Sequence, residues 1–131
     1  MEQRLIEIVV DPFPADEAMQ LLWRSAWGQN LPNNFTFVLR RSLLHLGAMD
    51  GDRLVGFVNV AWDGGAHAFI LDTCVHRDYQ RQGIATQLVQ GAAEGARARG
   101  AQWLHVDFEP HLEVFYRRCG FKPTLAGLIR L

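Results

Sequence analysis

Residues 76–86 read His76-Arg77-Asp78-Tyr79-Gln80-Arg81-Gln82-Gly83-Ile84-Ala85-Thr86, and they separate two segments of different period. Before them, Phe69 to Val75 is a largely apolar strand-like run. After them, Ile84, Ala85, Leu88, Val89, Ala92, Ala93 and Ala96 recur at the spacing of one helix face, with Gln87, Gln90, Glu94, Arg97 and Arg99 elsewhere. Gly100 ends that helix, and Trp103 to Phe108 reads as the next strand. Strand, helix and strand in this order predict a βαβ unit with parallel strands and a right-handed crossover.

The junction inside that unit is where chemistry is expected. The first turn of a helix leaves backbone N–H groups without internal partners, and the helix dipole adds about half a positive charge there, so phosphate is attracted. Gly83 lets a ligand oxygen approach without meeting a Cβ, small Ala85 lets the helix lie close to the sheet, and Arg81 adds a cation. Neither G-x-x-x-x-G-K-[ST] nor G-x-G-x-x-G occurs, which excludes a nucleotide-hydrolysing P-loop and a dinucleotide fingerprint. His76-Arg77-Asp78 matches the start of a kinase catalytic loop by chance, since Gly83 stands where the metal-binding asparagine belongs.

Upstream, Arg4 to Val10 predicts a first strand stopped by Asp11-Pro12-Phe13-Pro14. Asp16 is placed to cap a helix in which Ala18, Leu21, Leu22, Ser25 and Ala26 keep helical spacing and which ends near Gly28. Gln29 to Thr36, with Asn30, Pro32, Asn33 and Asn34, reads as a loop or short helical turn. Leu43 to Met49, Leu54 to Trp62 and Phe69 to Val75 then form a meander, with turns at Asp50-Gly51-Asp52 and Asp63-Gly64-Gly65. Downstream, Leu112 to Cys119 is a short helix ended by Gly120, and Leu125 to Leu131 is a candidate last strand.

The 131 residues suit one domain, expected to span 1–131. A composition 49% hydrophobic and 21% charged is that of a chain able to build a core. The net charge of -1 supplies no field toward nucleic acid or a membrane, so neither is an expected partner. Cys74 and Cys119 are far apart and suggest reduced core thiols rather than a disulfide or zinc site. No apolar run reaches the roughly 18 residues of a membrane span, and Glu2, Arg4 and Glu7 occupy the place of a signal peptide's apolar stretch. A cytoplasmic, unprocessed protein is expected.

Gln80-x-x-Gly83-x-Ala85 after an apolar strand, followed about thirty residues later by Phe115-Tyr116-x-x-Cys119-Gly120-Phe121, resembles the GNAT family of N-acetyltransferases. The two motifs cover residues 69–121 and are specific in combination. The resemblance implies an α+β fold: a mixed, mostly antiparallel twisted sheet of about six strands, a central parallel βαβ unit that binds acetyl-coenzyme A, and helices on both faces. It implies that Gln80 and the segment Arg81, Gln82, Gly83, Ile84, Ala85 and Thr86 hold the pyrophosphate. It also implies that Thr73, Cys74 and Val75 pair through their backbone with the pantetheine arm, in a gap where the strands ending at Val75 and Phe108 splay apart. Tyr116 would protonate the departing thiolate. Members often carry asparagine seven residues before this tyrosine; here that position is Glu109, so one coenzyme contact loses its usual residue while a carboxylate is placed nearby.

Acetyl transfer to an amine needs a neutral nitrogen, whereas an ordinary lysine-like amine, with a pKa of about 10.4, is protonated at pH 7. Asp72 and Glu109, at the ends of the strands flanking the expected cleft, are the candidate bases, acting through water; Asp107 shares strand parity with Glu109. Each also has the plainer reading of a solvated or ion-paired strand-end residue. His105 and His111 lack zinc-site spacing, and no metal is expected. Cys74 lacks a histidine partner and reads as core rather than nucleophile. Trp23, Trp27 and Trp62 are pocket candidates that equally suit a core.

The expected activity is transfer of an acetyl group to a primary amine of a small molecule or peptide, by direct attack in a ternary complex. Its rival is a non-catalytic module of the same fold that binds coenzyme A or an acyl form of it; a binder would not need Tyr116. Residues 20–40 should build the acceptor pocket and match no motif. Sheet edges and an apolar helix face allow a homodimer whose interface the sequence does not identify.

Overall fold

Asp11, with φ 55°, turns the chain out of strand β1 (Ile6–Val10) just before Pro12, which cannot donate to a ladder. The computed structural model describes residues 5–131, so Arg4, the expected start of that strand, lies outside the described residues. The order continues α1 (Asp16–Trp27), α2 (Phe35–Arg41), β2 (Leu44–Asp50), β3 (Arg53–Trp62), β4 (His67–Val75), α3 (Ile84–Ala98), β5 (Trp103–His105) and α4 (Glu113–Arg118). Short 3₁₀ turns at Arg77–Tyr79 and Pro110–Leu112 precede α3 and α4. The strands lie in sequence order; β1 to β4 are antiparallel neighbours, and β4–β5 is parallel across α3. The mixed, open sheet is that of an α+β fold.

Helices cover both faces. Leu44, Leu46, Val58, Val60, Ala68 and Ile70 pack with Leu88, Val89, Ala92 and Ala96 of α3. On the other face, Leu54, Phe57 and Cys74 pack with Met19, Leu22 and Trp23 of α1 and Phe35 and Leu39 of α2. Each large aliphatic or aromatic side chain among these contributes about 1.5–3 kcal/mol when fully buried. The helix α3 lies close to β2 because Gly95 has no Cβ; one there would run into the buried Leu44 side chain.

Three sequence expectations are corrected, and one helix is added. Among the described residues the sheet has five strands rather than six: residues 125–131 form no strand, and Leu125, Leu128, Ile129 and Leu131 are exposed. Apolar composition favours a strand only where a ladder partner exists. The last strand, β5, stops at His105 instead of continuing to Phe108, because its pairing with β4 ends at Phe69↔His105. The added helix is Phe35–Arg41, entered through Asn34 at φ 61°; only its first two residues fall in the stretch expected to be a loop or short helical turn. Asp16 lies in the first turn of α1 without capping it; Ala15 occupies the cap position.

Candidate active site

Beyond Phe69↔His105 the parallel strands part, and β4 runs on to Val75 without a neighbour on that side. A cleft of about 1030 Å³ opens in the gap. Ile70, Leu71, Asp72 and Thr73 form one wall, Val106, Asp107, Phe108 and Glu109 the other; Tyr116 of α4, Trp23 and Trp27 also line it. Trp62 does not, since it pairs with Ala68 toward the far end of β4.

A β-bulge lies in the first wall. Asn59 pairs with Leu71 and Phe57 with Cys74, so Val58 alone opposes both Asp72 and Thr73. Asp72 absorbs the extra residue at φ 60°, a conformation that Asp tolerates better than most residues. The bulge also reverses side-chain parity. Ala68 and Ile70 point to the α3 core, whereas after the bulge Cys74 joins the α1 side and Val75 the α3 side. No sequence signal marks it, because it arises from register against β3.

Burial pushes the Asp72 carboxyl above the usual carboxylate range. Burial and the Asp72 charge push the Cys74 thiol up, so this cysteine offers the site only its backbone. For Asp72 the folded value exceeds the unfolded one. Its favourable contribution to stability is therefore complete below the unfolded value and is lost as pH rises through the folded one. Asp72→Asn should accordingly raise the melting temperature at pH 7, and acidification should shrink the difference. Equal melting curves at neutral pH would show that burial imposes no such cost.

Tyr116 is buried among three rings, stacked on Phe108 at 4.9 Å and edge-on to Phe115 at 4.9 Å and Phe121 at 5.7 Å. Burial raises its pKa, the Thr73 hydroxyl opposes that rise, and Cys119 and Asp107 add to it. The phenol is therefore protonated at neutral pH. The sequence marks Tyr116 but neither its ring cage nor a part for the Thr73 side chain. Glu109 is exposed at the cap position before Pro110, on the wall facing Asp72.

The β4–α3 loop begins where β4 ends. Tyr79 anchors it, buried and donating to Asp50 Oδ2 at 2.5 Å, and Gln80 Nε2 donates to the Val75 carbonyl at 3.2 Å. Gln80 thus braces the loop against the strand. Arg81 at φ 63° and Gly83 at φ 81° adopt left-handed conformations on either side of Gln82. Such alternation turns successive N–H groups toward a common side, a concavity suited to anions. No side chain caps α3, and Gln87 N–H to Gly83 O, 3.1 Å, begins its ladder. The N–H groups of Ile84, Ala85 and Thr86 thus precede the helical bonds.

A second cavity of about 830 Å³ lies between α1 and α2, lined by Asp16, Glu17, Gln20, residues 31–37 and Arg40. Pro32 lines both cavities. Among the described residues no group of three or more His, Cys, Asp or Glu is placed to hold a metal, and no helix is long and apolar enough to cross a membrane.

A family model described as acetyltransferase (GNAT) family matches residues 3–121. The chain is 33% identical over 81 residues to N-alpha-acetyltransferase 30 of Schizosaccharomyces pombe, covering 56% of this chain and 54% of that protein. An uncharacterized N-acetyltransferase, ycf52 of Porphyra purpurea, is 32% identical over 69 residues, 53% of this chain and 40% of that one. The chain spans about half the length of the curated relatives it matches. Among solved structures, a GNAT family acetyltransferase from Streptococcus pneumoniae TIGR4 superposes with TM-score 0.82 at 26% identity, covering 97% of this chain and 98% of that one. An aminoglycoside N-acetyltransferase in complex with CoA shares the fold, with TM-score 0.77 at 15% identity over 99% and 96% of the two chains.

Proposed function

Because the chain belongs to the GNAT family of acetyltransferases, we propose that it transfers the acetyl group of acetyl-coenzyme A to a primary amine of a small molecule or peptide, by direct attack in a ternary complex. One observation carries this reading: β4 parts from β5 to open a cleft that Asp72 and Tyr116 both line, at the end of the strand leading into the left-handed loop. A binding module would need the loop and the gap but no buried phenol.

The residues fit the coenzyme. Backbone N–H groups from Arg81 to Thr86 take the pyrophosphate, and the backbone of Thr73 to Val75 lies along the pantetheine arm. A backbone N–H near Val75 polarises the thioester carbonyl as its oxygen becomes negative, the term that preorganised donors serve best. Asp72, and Glu109 opposite it, accept the amine proton through water; a carboxyl raised by burial is the better base. The C–N bond forms, the C–S bond breaks, and Tyr116 gives its proton to the sulfur. The cavity between α1 and α2, which shares Pro32 with the cleft, receives the rest of the acceptor.

The test is thermal unfolding with and without acetyl-coenzyme A, then free-thiol release with a panel of amines. The N-alpha-acetyltransferase relative makes peptide N-termini part of that panel. Ligand at 100 times its dissociation constant adds about 2.7 kcal/mol, enough to shift the midpoint by several degrees. We expect the shift together with amine-dependent release. A shift without release from any amine would support the binding module, and no shift would overturn the reading of the loop.

A further inference from the structure

We propose that Thr73 is a positioning residue for Tyr116: its hydroxyl donates a hydrogen bond to the phenolate oxygen left when the Tyr116 proton passes to the departing thiolate. The inference rests on the transfer reading above. Thr73 Oγ1 is buried and has no hydrogen-bond partner of good geometry among the described residues. Leaving a buried hydroxyl in that state costs about 1–3 kcal/mol, so a compensating role is called for.

The bulge accounts for its placement. Thr73 is the second of the two residues opposing Val58, and it lines the same cleft as Tyr116. The phenol otherwise sits among Phe108, Phe115 and Phe121, whose rings cannot donate a conventional hydrogen bond to an anion. Asp107 and Cys119 act on Tyr116 against ionisation, Asp72 and Glu109 also line the cleft, and of the groups acting on the phenol only the Thr73 hydroxyl favours the charged form.

The proton balance closes. The ammonium gives one proton to the carboxylate base or its water before attack. The nitrogen releases a second by the same route once the C–N bond has formed, while the phenol proton goes to sulfur. Thr73 keeps its own proton throughout; solvent returns one of the two nitrogen protons to the phenolate and takes up the other. A hydrogen bond to a charged group is roughly twice as strong as a neutral one, so the contact stabilises the charged state preferentially.

The protein has two tyrosines, Tyr79 and Tyr116, so labelling with 3-fluorotyrosine yields two ¹⁹F resonances, assigned with Tyr116→Phe. The fluorinated phenol is also more acidic, which brings its titration within reach of the folded protein. Thr73→Val should make Tyr116 about tenfold less acidic, whereas Thr73→Ser should keep the wild-type midpoint. In the unlabelled enzyme Thr73→Val should lower kcat and move the alkaline limb of its pH profile upward, with KM for acetyl-coenzyme A nearly unchanged. An unmoved Tyr116 midpoint in Thr73→Val overturns the proposal, as does an equal shift in Thr73→Ser. The titration is read without coenzyme or acceptor. Failure to find an acceptor would therefore count against the transfer reading, while an unmoved midpoint counts against Thr73 alone.

Discussion

Tyr116→Phe is expected to lower kcat about a hundredfold, the lower range for loss of a general acid, while KM for acetyl-coenzyme A changes by less than about twofold. The substitution removes one oxygen and keeps the ring between Phe108, Phe115 and Phe121, so packing and the cleft walls persist. On the proposed mechanism, what is lost is the proton that neutralises the leaving thiolate, an interaction made only as the C–S bond breaks. The pH profile offers a second check. Because burial holds the phenol's pKa up, the group is protonated through neutral pH, and the wild-type rate should fall only in the alkaline range. That limb should vanish in the variant. The stability sign agrees: a neutral buried phenol supports the fold fully below its unfolded pKa and loses that support as pH rises through the folded value. The variant should therefore resist alkaline unfolding better than wild type. Steady-state kinetics decide the matter, and an unchanged kcat would remove Tyr116 from the mechanism.

Gly83→Val is expected to weaken acetyl-coenzyme A binding about a hundredfold, equivalent to about 2.8 kcal/mol. Gly83 holds φ 81° at the entrance of α3, a left-handed conformation in which a β-branched residue is an outlier. A Cβ there meets nothing within 4 Å, so the protein without ligand has room for it. The penalty is in the backbone: a shift of φ to negative values would rotate the Gly83 and Ile84 peptide groups and dismantle the concavity formed with Arg81. On the proposed reading, an added side chain would also stand where a phosphate comes close to the backbone. Calorimetric titration with coenzyme A measures the effect, and the unliganded melting temperature separates it from loss of fold. Wild-type affinity would show that the pyrophosphate is held elsewhere.

Gly83 is legible in the sequence because the signals that mark it are local, whereas Tyr116 is singled out by the motif that resembles the GNAT family. A glycine at a strand-to-helix junction and a helix face written in Leu, Val and Ala are properties of the chain within a dozen residues. The meander's turns at Asp50-Gly51-Asp52 and Asp63-Gly64-Gly65 are equally local. The helix Phe35–Arg41 is hidden in the sequence because seven residues after an Asn/Pro-rich loop are too few for helical period to stand out. The stretch 125–131 misleads in the opposite direction, since its apolar residues satisfy strand propensity while no neighbouring strand accepts them.

The sequence by itself determined the βαβ order and the glycine-bearing junction between β4 and α3, and its resemblance to a known family singled out Tyr116. Only the tertiary structure decided that β4 and β5 separate after Phe69↔His105, that Asp72 and Thr73 together oppose Val58, and that three aromatic rings enclose Tyr116. The reason is physical. Period and turn chemistry act between residues close in the chain, whereas a bulge, a cleft and a shifted pKa arise from register and burial between segments as far apart as Val58, Thr73 and Tyr116.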